Sequence, residues 1–413
     1  MIARGVSVHT CPPLNMPKIS VYLISGILCL AAIAGKAQTP NTLLLNANRL
    51  AAIKKAWKKD EATGQLVKLL QKQAETLLQM NPLSVMDKPA APTNGNRHDY
   101  ISQAPYFWYD SSKPNGLPYI NRDGRHNPEA DQIIDRQNLN NLNNACQVLS
   151  IAWYLTGKEK YAEKASSLLR YWFFNEATKM NPNLNYAQAI PGVNNGRGIG
   201  IIESIPLTGI ADASLLLAGS KSWSKKDDKL LKSWYSQYLG WMLNSKNGKD
   251  EHAAKNNHVT WYLVQVVDFA LFTGDTAKAV ELAEEGKKLL DNQLEKEGTM
   301  PLELVRTSSL SYSILNLQGF FELSTLAEKT GADLWNYVNK KGASLRTAFN
   351  WLKPFALGEK PWTYQQITEC KKTAFYELLL KAGNKYTDSG CLSSARQISA
   401  QANDKMLDLL YER

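Results

Sequence analysis

Cysteine is scarce in this chain of 413 residues. There are five, and only Cys146, Cys370 and Cys391 lie beyond the first 37 positions. Three cysteines far apart do not make a disulfide framework, so they read as thiols, with one optional bridge at most. Histidine is equally sparse. Past residue 37 only His98, His126, His252 and His258 remain, and no His-Glu-x-x-His occurs, which excludes a zinc-protease site and leaves no metal to expect. Alternating apolar and polar runs are nearly missing, so strands are few. Gly196-x-Gly198-x-Gly200 therefore follows no strand, is no dinucleotide loop, and implies no cofactor. No fixed repeat period is present, which argues against tetratricopeptide-like arrays.

What is present begins at the N-terminus. Met16-Pro17-Lys18 precedes an apolar run from Ile19 to Ala34, then Gly35-Lys36-Ala37 and Gln38. That is the pattern of a signal peptide over residues 1–37, cleaved after Ala37, with Met16 a possible true start and export to the periplasm or outside the cell. The run is too short for a stable membrane span, and Leu28 before Cys29 does not suit a lipoprotein anchor. The remainder, 38–413, is expected to fold as a single domain burying roughly three quarters of its unfolded surface.

The formal net charge is +10, from 48 Lys and Arg against 38 Asp and Glu. Arg4, Lys18 and Lys36 leave with residues 1–37 and no acid leaves with them, so +7 remains. A basic protein attracts polyanions. No dense Lys/Arg tract or finger pattern supports nucleic acid, and export argues against it, so an anionic polysaccharide is the expected partner.

Helical spacing of apolar residues predicts an all-α chain with helices at 44–57, 61–80, 132–155, 160–175, 204–219, 227–244, 257–272, 277–293, 309–329, 333–352, 363–382 and 394–411. Short links at Gly157, Gly274 and Gly331 join neighbours into antiparallel pairs. Repeated pairs in a chain of this length suggest an α/α toroid, an incomplete or closed α/α barrel, rather than a solenoid. Two segments interrupt the pattern, Pro82 to Asp131 and Asn175 to Glu203; loops this long usually carry function, so both are expected to line a substrate groove.

Two clusters carry chemistry. Asn256-Asn257-His258-Val259-Thr260-Trp261-Tyr262 opens an apolar helix, and Met300-Pro301-Leu302-Glu303-Leu304-Val305-Arg306 stands six residues before Tyr312. Singly these have ordinary roles: Asn caps a helix, Arg306 pairs with Glu303, Tyr312 fills a core. Together they suit elimination from a uronate, which removes the proton on C5, expels the oxygen on C4 and builds charge on the C6 carboxylate. Arg306 and Asn257 would neutralise that carboxylate. Tyr312, its pKa lowered by Arg306, would serve as base and acid when both atoms lie on one face of the sugar, and His258 as base when they do not. Arg197, flanked by Gly196 and Gly198, can reach a carboxylate, and Tyr106, Trp108 and Tyr119 would stack on sugars or pin their loop.

These segments resemble those of the alginate lyase superfamily. Asn256 to Tyr262 and Met300 to Arg306 match its motifs, as do Ala104-Pro105-Tyr106-Phe107-Trp108, Gly116 to Tyr119, Arg122-Asp123-Gly124, Asn127-Pro128-Glu129 and the stretch Asn181 to Gly192. The resemblance covers about residues 100 to 335. It implies an α/α toroid that degrades alginate or a related polyuronate by β-elimination without a metal, with Asn257 and Arg306 as neutralisers and His258 and Tyr312 as proton carriers. It also places Gln137 and Asn138 beside the groove. The step from Arg306 to Tyr312 is six residues here and seven in some relatives, so a glucuronan lyase is the alternative branch. A glycoside hydrolase using Glu203 with Asp123 or Glu303, or a non-catalytic acidic-glycan-binding protein, stands as a further alternative.

Overall fold

A computed structural model describes residues 39–411 of the 413, and these belong to one compact unit. The signal-peptide segment lies outside the described residues. Five helices follow one another round an inner ring: Asp135–Thr156, Pro206–Leu216, Asn257–Thr273, Ser309–Thr330 and Tyr376–Lys385, each packed on the next. An outer layer covers them. Glu159–Phe173 packs on the first, Lys225–Asn244 and Thr276–Gln293 on the third, Leu345–Ala356 on the fourth and Ser389–Ala402 on the fifth. The C-terminal helix Lys405–Tyr411 touches both Tyr376–Lys385 and the early helix Glu61–Leu77, so the two ends of the series meet. This is the α/α toroid that the sequence suggests.

The inner helices are apolar almost all round, as a helix flanked by neighbours must be. In Asn257–Thr273, Leu263, Val264, Val266, Val267 and Phe269 are fully buried. The hairpin links behave as expected: Gly157, Gly274 and Gly331 adopt φ of 71°, 88° and 86°, the left-handed conformation that ends a helix without a Cβ clash. Gly198–Leu216 is apolar enough to cross a membrane by composition, but most of it is buried in the ring.

Helices expected from 44–57 through 309–329 agree with the structure to within three residues at either end. The later ones need correction. Residues 333–344 are irregular, because Asn339 is tied to Leu290 O and Leu294 O at 2.9 Å each, and the helix starts only at the Ser344 capping box. Residues 363–375 form a strap rather than a helix start. Gln366 receives Leu310 N and donates to Ser311 Oγ, both at 2.9 Å, across the start of Ser309–Thr330. The stretch 394–411 breaks at Asn403, whose φ is 48°.

The two long loops are joined to each other. Ile101–Gln103 pairs in parallel with Tyr186–Ala189, and Phe107–Trp108 pairs antiparallel with Ile120–Asn121. The resulting platform lies at one end of the ring, and a buried Lys88–Asp135 ion pair at 3.0 Å fastens it to the first inner helix.

A single carboxylate anchors the chain before the first helix. Asp212, buried in Pro206–Leu216, accepts from the backbone of Leu43, Leu44 and Leu45, and burial pushes its pKa up to about 6. Asp212→Ala orphans those donors and should lower the unfolding free energy by roughly 2–4 kcal/mol, read by denaturant melts. An unchanged midpoint would show that the anchor is dispensable.

Candidate active site

Between the platform and the inner helices lies a cleft of about 680 Å³. Asn257, His258, Arg306, Tyr312, Arg197 and Tyr106 all line it, although they come from four separate stretches of chain. Each reactive group is held by a partner. Asn257, 1% exposed, gives its backbone N–H to Glu303 Oε1 at 2.6 Å and its side-chain amide to Oε2 at 2.8 Å. His258 places Nδ1 2.7 Å from Glu251 Oε1, which leaves Nε2 as the ring nitrogen available to the cleft. Two short helices not foreseen from sequence, Lys246–His252 and Pro301–Leu304, supply these two carboxylates.

Arg306 does not pair with Glu303. Asp123, from the platform, takes its Nε at 3.2 Å and Nη2 at 2.7 Å, and also receives Thr307 N at 3.3 Å and Thr307 Oγ1 at 3.1 Å. The guanidinium so fixed lies over the Tyr312 ring, 3.7 Å from its centre. A cation over an aromatic face is attracted by the ring quadrupole, and a bidentate partner prevents it from turning away. The Arg306 side chain beside it holds the Asp123 carboxyl below the usual carboxylate range.

The expected lowering of the Tyr312 pKa is not what the structure gives. Burial and the bond from its hydroxyl to Tyr106 Oη, 2.9 Å, raise it, and Arg306 offsets only part of that rise. The physical reason is burial, which disfavours the charged phenolate by more than one neighbouring cation restores. Tyr312 rests as a phenol, a proton donor.

The other candidates divide. Arg197 donates to Gln188 Oε1 at 2.7 Å and lies 5.0 Å from the Phe107 ring centre, so it lines the cleft in a fixed pose. Gln188 itself has a φ of 50°, a strained conformation for a residue with a side chain. Trp108 and Tyr119 are not in the cleft wall. Trp108 binds Arg125 O at 2.9 Å and Tyr119 binds the Glu129 carboxylate at 2.8 Å, so both pin the platform. Asn138 points away, to Ser84 O at 3.2 Å, and Gln137 is exposed outside the cleft wall. Their neighbours Arg136 and Asn140 line the cleft instead. The helical phase of Asp135–Thr156 decides this. Apolar residues alone do not show which polar positions of an inner helix face the opening.

Two of the three acids considered for hydrolysis are committed, Asp123 to Arg306 and Glu303 to Asn257. Glu203 is buried at the cleft wall and accepts from Tyr100 at 2.9 Å and Ser102 at 2.5 Å.

Comparison with known proteins identifies the family. The family model described as alginate lyase matches residues 84–362. The chain belongs to the alginate lyase family. A crystal structure of an alginate lyase from Bacteroides ovatus is 38% identical, with a TM-score of 0.86 over 90% of this chain and 99% of that one. Alginate lyase A1-III in complex with a tetrasaccharide matches at 12% identity and a TM-score of 0.58, over 93% and 98% of the two chains. The A1-III enzyme from Sphingomonas species A1 matches at 14% identity and 0.51, over 83% and 94%. These last two show a shared fold. No curated protein matches the chain. The protein is therefore a polysaccharide lyase of this family, with an α/α toroid.

Asp123 generates a prediction with a pH signature. A carboxylate whose pKa is depressed on folding contributes stability above its unfolded value, about 3.9, and loses it only as pH falls through the lower folded value. From pH 5 to 9 it does not titrate. Asp123→Asn should therefore cost roughly 10²-fold in kcat/KM, evenly across that range, because Arg306 loses its hold. A loss confined to one limb of the pH profile would contradict this role.

Proposed function

We propose that this lyase cleaves alginate, polymannuronate first, by β-elimination, leaving a 4,5-unsaturated uronate at the new end. The observation that carries the reading is the Arg306 guanidinium clamped over the Tyr312 ring in the same cleft as Asn257 and His258. Asn257 and Arg306 are the donors suited to the C6 carboxylate, whose charge grows as C5 loses its proton. The C4–O4 bond breaks, a C4–C5 double bond forms, and the departing oxygen takes a proton from Tyr312. In mannuronate the C5 proton and O4 lie on one face. The Tyr312 oxygen then receives the C5 proton and passes it to O4, which requires the phenol first to release its own proton to solvent as the sugar binds, and Arg306 reduces that cost. In guluronate the two lie on opposite faces, and His258 Nε2, oriented by Glu251, is the base.

A hydrolase reading has less support, since it needs a free acid and a free base and two of the candidate carboxylates already hold Asn257 and Arg306. The leader pattern at residues 1–37 supports export, where an external polysaccharide is met.

The test is ultraviolet absorbance of the unsaturated uronate on polymannuronate, polyguluronate, glucuronan and polygalacturonate. A rise fastest on polymannuronate is expected. New reducing ends without absorbance would instead mean hydrolysis. Tyr312→Phe should lower turnover by at least roughly 10²–10⁴-fold while leaving polymer affinity within a few-fold, because only the hydroxyl is removed. Full activity in that variant would overturn its role.

A further inference from the structure

One cation in the cleft has no partner that explains it. Arg136, the second residue of Asp135–Thr156, is exposed and lines the cleft, and no carboxylate among the described residues lies within ion-pair distance of it. The other two arginines of the cleft are tied: Arg306 to Asp123, and Arg197 to Gln188. Asn140, one helical turn further on, lines the cleft on the same face, and its amide donates back to Arg136 O at 3.0 Å. Helix Pro206–Leu216 packs between this helix and the one that carries Asn257 and His258. Arg136 thus stands on a different wall from the groups assigned to the reacting sugar.

We infer that Arg136 and Asn140 form a second carboxylate subsite, which grips a uronate of the polymer other than the one being cleaved. An exposed guanidinium costs little to leave in water and gains a bidentate bond when a planar carboxylate arrives. Asn140 adds an amide suited to a sugar hydroxyl or the second carboxylate oxygen. Such a subsite rewards charge on a neighbouring unit, so it selects a continuous polyuronate over a chain with isolated acidic sugars. The inference rests on the polyuronate reading above.

The competing explanation is internal. Buried Glu203 feels the charge of Arg136, so Arg136 could serve only to offset that carboxyl. The two roles differ in what they perturb: a counter-ion role acts on stability, and a subsite role on affinity for an anionic polymer.

Binding is measured directly in the Tyr312→Phe background, so that turnover does not consume the ligand, with polymannuronate as probe and a neutral mannan as control. Adding Arg136→Gln should weaken polymannuronate binding about 10- to 100-fold, flatten its salt dependence and leave the melting temperature nearly unchanged. Arg136→Lys, which keeps the charge but not the fork, should recover part of the loss, and Asn140→Ala should show a smaller one. Polymannuronate affinity within twofold of the background would overturn the subsite. So would a loss matched by a fall in melting temperature, which would return Arg136 to Glu203. If the Tyr312→Phe protein binds polymannuronate no better than mannan, the polymannuronate assignment fails first and takes the subsite with it. The wild-type absorbance assay then shows whether another uronan is the substrate.

Discussion

Three carboxylates, each dedicated to one reactive side chain, carry the site. Glu303 holds Asn257, Glu251 holds His258, and Asp123 holds Arg306. Burying a polar or charged group at the mouth of an apolar helical ring is costly unless it is bonded, and breaking a buried pair costs more than the pair contributes. The arrangement converts that cost into position. A side chain held by such a partner has its pose fixed before any ligand arrives. The rest of the architecture follows from where the carboxylates must come from. Glu251 stands on a short helix immediately before the inner helix that carries His258, Glu303 reaches across from the short helix before Ser309–Thr330 to Asn257 on the neighbouring inner helix, and Asp123 reaches in from the platform of paired loops, which Lys88 and Asp135 fasten to the ring.

Much of this was legible in the sequence. Helices with strong apolar periodicity and glycine stops were placed to within three residues, because burial on several sides leaves little freedom in an inner helix. The motifs at 256–262 and 300–306 stand out because their polar residues interrupt an apolar pattern at a helix start, and the structure brings both to one cleft. Where the chain is held by tertiary bonds instead, periodicity misled. The segment 363–371 has helical spacing but is held as irregular chain by Gln366 and by the neighbouring Trp362, whose indole donates to Ser309 Oγ at 2.9 Å, and only 372–375 winds, as a short 3-10 turn. Nothing local in the sequence encodes those partners.

The glycines at 196, 198 and 200, which follow the short strand Tyr186–Ala189, have a packing cause that the sequence does not show. A Cβ on Gly196 would lie 2.1 Å from Asn185 O, one on Gly198 2.6 Å from Asn247 O, and one on Gly200 2.6 Å from the Ala187 side chain. These contacts let the second loop lie flat against its neighbours, so that Arg197 between two of the glycines enters the cleft wall. The choice among Arg136, Gln137, Asn138 and Asn140 was illegible for a related reason. Four polar residues in the first turns of one helix satisfy the same composition rule, and only the helix phase, set by packing on both sides, separates groove from surface.

Tyr312 concentrates the remaining chemical argument. A phenol whose pKa is raised by burial donates a proton readily only to an oxygen that is already gaining negative charge, which in the proposed elimination is O4 as its bond to C4 breaks. Arg306, over the ring face, is poorly placed to ionise the hydroxyl in the empty cleft yet well placed to stabilise charge that spreads into the ring once ionisation begins. Tyr106 accepts the hydrogen bond that the same hydroxyl donates. In the proposed elimination Arg306 therefore lowers the cost of forming the phenolate that takes the C5 proton, an interaction that the neutral resting phenol uses less.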